Sequence, residues 1–178
     1  MIGSILSDTK NMQSETTTFA DREALRALNE IAGIEDLDAF YQEMYKALLS
    51  YDGMSDEEIF FSDYKEYETG GKKNSIGCVN AYDEETAKDL AERMKKTMPE
   101  AMAKKGMDMA FAAISILHDD LSVTYAVAAD AASDEVLKLA VGNMAEFDGT
   151  SYAVKPYMSR KAVLVPAITD ILESYPHE

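Results

Sequence analysis

At 178 residues the chain suits one domain or a small pair and is long enough to bury roughly 70% of its unfolded surface without staples. Its 33 Asp and Glu against 17 Lys and Arg give a formal charge of −16, which repels nucleic acid and anionic membrane, and no basic run is long enough to overturn that. The lone cysteine, Cys78, excludes an internal disulfide and fits a reduced, cytoplasmic setting; the start MIGSILSDTK lacks a signal peptide's basic region and apolar core, and no run approaches the ~18 apolar residues of a membrane span.

Ile2 to Leu6 reads as a short apolar strand that stops at Ser7, Asp8 and Thr9. That would place Asp8 at the carboxyl end of a strand, where open α/β sheets hold ligands and metals, although an Asp there is also an ordinary turn former or helix cap. The polar run SETTT leads to Asp21, a candidate cap for a helix over Arg22 to Ala32 ended by Gly33, with Leu25, Leu28, Ile31 and Ala32 as its apolar face. A second helix, about Leu37 to Leu49, carries Phe40, Tyr41, Met44, Tyr45 and Leu48 at helical spacing, which reads as core. The polar cluster YDGMSDEE around Gly53 marks a boundary between 1–52 and 53–178, and Ser55 with Glu58 predicts a capping box on a short helix through Phe61.

Tyr64 to Thr69, the turn GGKKN and the run Ser75 to Ala81 read as a hairpin, on which Lys65 is either a solvated edge lysine or a substrate lysine reaching from the strand. A long helix from Asp83 to about Lys105 turns Ala87, Leu90, Ala91, Met94 and Met98 inward, bends at Pro99 and ends at Gly106. Met109 to Leu117 and Val123 to Ala129 are apolar enough for central strands covered on both faces. Between them His118, Asp119 and Asp120 read as a solvated turn, because successive side chains rarely converge on one metal ion. Ser133 is a candidate cap for a helix through about Val141, Ala145 to Phe147 adds a strand, and Tyr152 to Met158 leads into the last segment. There Pro166 either kinks the final helix or opens it, and Ile168, Ile171, Leu172 and Tyr175 form one face.

The stretch YMSRKAVLVP breaks a local rule, because Arg160 and Lys161 stand where a helix begins and the macrodipole is already positive. Free backbone N–H groups, a planar fork and a point charge together suit a phosphate group. Ser159 capping the helix while both cations point into water is the plainer reading of the same residues. Arg160 is one of four arginines, with Arg22, Arg26 and Arg93, so few side chains here can grip a phosphate with two parallel hydrogen bonds.

ILSDT, SETTT, EIAGI, SDYKEYE and MSRKAVLVPAITDIL, in that order, together resemble the family II, manganese-dependent inorganic pyrophosphatases over the whole chain. The match is to the end of that family's DHH domain, residues 1–52, followed by its DHHA2 domain, residues 53–178. The resemblance implies an α/β fold: a mixed, about five-stranded sheet flanked by helices, preceded by a strand and two helices. It also implies that Asp8, in the SDT motif, ligates one manganese and that Lys65, Arg160 and Lys161 bind substrate phosphates. Two metals, manganese or else magnesium or cobalt, would hold a hydroxide in line with phosphorus while the cations absorb charge on the phosphoryl oxygens.

The departures from the family pattern bear on each of these expectations. The family's HxDxD and DHH ligands come from an N-terminal region that these residues do not include; the histidines here are His118 and His177, and the first stands in HDD, not DHH. One carboxylate is far short of the about six donors Mn²⁺ takes, so the chain alone is expected to bind pyrophosphate or a similar anion without hydrolysing it, and to need a DHH domain as partner for metal and turnover. Ala162 and Val163 follow the SRK motif where the family usually has Lys and Gln, and Glu15 stands where it often has proline. Three readings stay open: the C-terminal part of a pyrophosphatase, a non-catalytic binding module for polyphosphate anions, and a scaffold with no ligand. An exopolyphosphatase or phosphodiesterase of the DHH superfamily is the other enzymatic reading. Apolar faces in Ile2 to Leu49, deprived of sheet neighbours, predict self-association through that segment or local disorder there.

Overall fold

The computed structural model describes residues 1–9, 11–14, 16–118 and 121–174, with the backbone alone at 117, 118 and 121. Glu15, Asp119, Asp120, Tyr175, His177 and the His118 side chain therefore lie outside the described residues. The chain divides into two compact units, Met1–Ser50 and Tyr51–Glu178.

The first unit is helical. Helix α1 spans Ile2–Asp8, α2 Phe19–Ala32 and α3 Leu37–Leu48. The strand expected at Ile2 to Leu6 is thus a helix. A lone strand would leave its peptide groups without partners, whereas a helix satisfies them internally and sets Ile2, Ile5 and Leu6 on one side, against Leu25 and Tyr41. The cap of α2 also differs from expectation. Thr18 is the N-cap, and Asp21, three residues on, answers it: Asp21 N–H donates to the Thr18 hydroxyl while its carboxylate accepts the Thr18 N–H at 2.8 Å. Ile31 and Leu48, expected to be packed, are 86% and 68% exposed; among the described residues the buried apolar centre of the unit is Leu6, Leu25 and Tyr41.

In the second unit, Ser55 and Glu58 form the predicted capping box on α4, Asp56–Phe61. Strands β1 (Tyr64–Thr69) and β2 (Lys72–Asn80) make the hairpin, turning at Gly70 and Gly71 with φ of 58° and 70°. Two successive positive φ angles match the twist of the flanking strands, and glycine takes them without steric cost. Helix α5, Glu84–Lys105, carries Pro99 inside it and ends at Gly106 in the left-handed conformation. It is the crossover that a parallel neighbour requires, and β3, Met109–His118, accordingly runs parallel to β2.

Strand β4 (Leu121–Ala128) follows β3 antiparallel, then come α6 (Ala131–Val141), β5 (Ala145–Phe147), β6 (Tyr152–Val154) and α7 (Val165–Ser174). The mixed sheet has the order β1-β2-β3-β4-β6-β5, six strands where the sequence suggested about five; the additional one, β6, pairs with β4 through Thr124, Tyr125 and Ala126. Asp130 is the cap of α6, whereas Ser133, the expected cap, supplies the N–H that Asp130 accepts.

Helices lie on both faces. Phe60, Leu90, Met94 and Met98 of α4 and α5 pack on Val79, Ile114, Ile116 and Val127; Leu137, Ile168 and Leu172 of α6 and α7 pack on Ile76, Phe111 and Ala126. Met94 and Met98 are fully buried, each worth about 1.5–3 kcal/mol of apolar transfer. No helix among the described residues is long and apolar enough to cross a membrane.

Candidate functional site

The last helix starts with a widened turn. The carbonyl of Ser159 accepts from Val163 N–H at 2.9 Å and from Leu164 N–H at 3.0 Å, the second bond spanning five residues, and Val165 N–H repeats that span to Arg160. Residues 160–164 form this π-helical turn, which passes into α7 at Val165. Pro166 is the second residue of α7; it cannot donate to a preceding carbonyl, so the loss of one ladder bond falls at the junction where the helix changes its winding. Ser159 is indeed the cap, its hydroxyl accepting from Ala162 N–H at 3.4 Å. The N–H groups of Arg160 and Lys161 have no acceptor among the described residues.

Arg160 does not point freely into water. Its side chain is 13% exposed, and Nη1 donates to the Asp63 carbonyl at 2.7 Å while Nη2 donates to Asp63 Oδ1, also at 2.7 Å. A longer contact, 3.5 Å, joins Nη1 to the Ile76 carbonyl. Burial opposes the guanidinium's charge, but the Asp63 hydrogen bond, together with the charges of Cys78, Asp63 and Tyr67, outweighs it and holds the Arg160 pKa above its ordinary value. The same guanidinium acts on Cys78: burial pushes the thiol up from its ordinary value, and the charge and hydrogen bond of Arg160 only partly offset this.

Lys65 stands opposite Ile76 in the β1–β2 register. Side chains alternate along a strand, so Lys65 shares a face with Tyr67, which packs against the cluster containing Ile76 and Cys78. That is the face on which α7 lies, and β1 is an outer strand of the sheet, on which Lys65 is exposed. Lys161 is exposed on the turn itself, next to Arg160. The fold thus collects Lys65, Arg160 and Lys161 at one edge of the second unit, with Asp63 holding Arg160 in place. Asp63 was not singled out from the sequence. Its one signal was its place in SDYKEYE, directly before the strand that carries Lys65. Ala162 and Val163, the departures after the SRK motif, are exposed.

Asp8 belongs to the first unit, where it is the exposed last residue of α1 and not the end of a strand. Among the described residues no three His, Cys, Asp or Glu side chains come together as a ligand set. Manganese takes about six oxygen or nitrogen donors, so these residues do not by themselves fit a manganese centre.

Residues 42–171 match the DHHA2 domain family. The manganese-dependent inorganic pyrophosphatase of Methanocaldococcus jannaschii is 30% identical over 168 residues, covering 94% of this chain and 53% of that protein. The cobalt-dependent inorganic pyrophosphatase of Clostridium perfringens is 31% identical over 97% of this chain and 30% of its own length. The crystal structure of a Methanococcus jannaschii family II inorganic pyrophosphatase superposes with a TM-score of 0.61 at 28% identity, over 97% of this chain and 54% of that one. The chain spans about half the length of the manganese-dependent relative and of the solved structure. With well over half of its residues matched by the family, the chain belongs to the DHHA2 domain family.

Proposed function

We propose that this chain is the substrate-binding C-terminal part of a divalent-metal-dependent inorganic pyrophosphatase, acting on pyrophosphate together with the region of its relatives that it does not span. One observation carries the reading: Arg160 contacts the Ile76 carbonyl, opposite Lys65 in the β1–β2 register, so an adjacent pair of cations meets the hairpin that bears a third, nearly a hundred residues away in sequence, in a chain whose net charge is −16. Cations collected against so strong an overall field are suited to an anion of high charge density.

In this reading Lys65 and Lys161 act as point charges on phosphoryl oxygens, and Arg160 offers paired N–H groups in a plane. Their chemical contribution is to absorb charge on the phosphoryl group and on the departing phosphate. Asp8 supplies one carboxylate to a metal whose other ligands come from the N-terminal half of the relatives. The described residues hold no complete metal set, so the isolated chain is expected to bind without turnover.

The test is calorimetric titration of pyrophosphate into the chain, with and without Mn²⁺, beside an Arg160→Ala, Lys161→Ala double variant, with released phosphate assayed in the same samples. Binding that the double variant loses, without phosphate release, supports the proposal. An absence of binding by the parent chain would sink it.

A further inference from the structure

We infer that Asp63 is a positioning residue for Arg160, fixing the guanidinium so that one of its edges stays available to an anion; the inference rests on the phosphate-binding reading above. A guanidinium has five N–H donors in a rigid plane. In Arg160 the Nη1 group is directed at the carbonyls of Asp63 and Ile76, at 2.7 and 3.5 Å, and one Nη2 hydrogen at Asp63 Oδ1, at 2.7 Å. The Nε–H and the second Nη2–H lie together on the neighbouring edge. Neither has an oxygen acceptor among the described residues. The Cys78 sulfur lies within hydrogen-bonding reach of the guanidinium, but sulfur is a weak acceptor that an anion's oxygens would displace. The edge left over is a two-donor fork, the geometry that matches two oxygens of one phosphate.

The backbone explains why the hold is firm. The Asp63 carbonyl also accepts from Cys78 N–H at 2.9 Å, continuing the β1–β2 pairing by one residue, so the acceptor for Nη1 is part of the sheet. The Asp63 carboxylate is 57% exposed and adds the second point of attachment that fixes rotation of the plane. Without it the guanidinium keeps main-chain acceptors on one nitrogen only and is free to swing about that contact. An alternative is that Asp63 imitates the anion and competes with it. Competition and positioning predict opposite signs when the carboxylate is removed.

The experiment uses the full chain, with inorganic pyrophosphate as probe, and the variants Asp63→Ala, Asp63→Asn and Arg160→Ala. Calorimetry measures affinity, and nitrogen–proton NMR follows the Arg160 Nε–H resonance, assigned by its loss in Arg160→Ala. Thermal melts identify variants that have unfolded, and Asp63→Asn, which keeps an acceptor oxygen of the same shape, carries the test if Asp63→Ala has. The expected result is a roughly tenfold loss of affinity in Asp63→Ala, a smaller loss in Asp63→Asn, and a shift of the Nε–H signal toward that of free arginine. Affinity that is unchanged or tighter in both variants, or an unmoved Nε–H signal, overturns the inference while the phosphate reading stands, since the parent still binds and Arg160→Ala does not. A parent chain that binds no pyrophosphate overturns both.

Discussion

The Arg160 guanidinium reaches Asp63 across 97 residues of sequence and takes both its carbonyl and its carboxylate at 2.7 Å. Lysine in its place keeps the charge but has no planar fork, so it cannot make the two parallel hydrogen bonds from separate nitrogens. Arg160→Lys is therefore predicted to destabilise the second unit by about 1–2 kcal/mol, the scale of one charge-assisted hydrogen bond. Urea denaturation checks this: the midpoint falls while the slope is unchanged.

At Gly77 helix α4 lies directly against the sheet. A Cβ at Gly77 would lie 2.7 Å from both the Phe60 ring and the Phe60 carbonyl, and the carbonyl cannot move as a side chain would. Gly77→Ala is predicted to cost about 1–3 kcal/mol, as overpacking does in a close-packed interior. Chemical denaturation of the variant measures it, and a loss under about 0.5 kcal/mol would show that α4 shifts without resistance.

The start of α4 depends on a carboxylate. Glu58 accepts from Ser55 N–H and from the Ser55 hydroxyl, both at 2.8 Å, and these bonds, the backbone one foremost, lower its pKa from the ordinary 4.5. A depressed folded-state value means that the stabilisation is present above pH 4.5 and is lost as pH falls through the lower, folded value. The Ser55 amide resonance should consequently move at a pH below 4.5, and in Glu58→Gln it should not titrate there.

The first unit leaves Phe19, Ile31 and Leu48 at 79%, 86% and 68% exposure around a centre of three buried residues. Large apolar side chains in water favour association, so the chain is predicted to self-associate with rising concentration in sedimentation velocity, and an Ile31→Asp, Leu48→Asp double variant to do so less. A chain that stays monomeric throughout the concentration range would count against this.

Periodicity and end signals are local, which is why α2, α3, α4, α5 and α7 were legible before any tertiary information. The buried residues of α5 include Ala87, Leu90, Ala91, Met94 and Met98, the set that helical spacing selects. Caps were harder to place. Thr18 with Asp21 and Asp130 with Ser133 are polar pairs three residues apart, and either member can start a helix on paper; the extended backbone at Thr18 and Asp130 decides it. Ile2 to Leu6 shows the other ambiguity, because a short apolar run suits a strand or a helix until its partners are known. Strand β6 is three residues long and carries little pattern of its own; β4 beside it makes it a strand.

The sequence by itself determined the helices from α2 onward, the hairpin and the unusual placement of Arg160 and Lys161 at a helix start, since each rests on residues within a few positions of one another. Only the tertiary structure decided what Arg160 touches. Its partner Asp63 lies nearly a hundred residues away in sequence, two residues before Lys65, and meets it because the hairpin forms one edge of the sheet and the last helix packs on that edge. Contacts set by chain topology leave no local trace in composition or spacing. An acidic residue before a strand looks ordinary until the fold delivers a guanidinium to it.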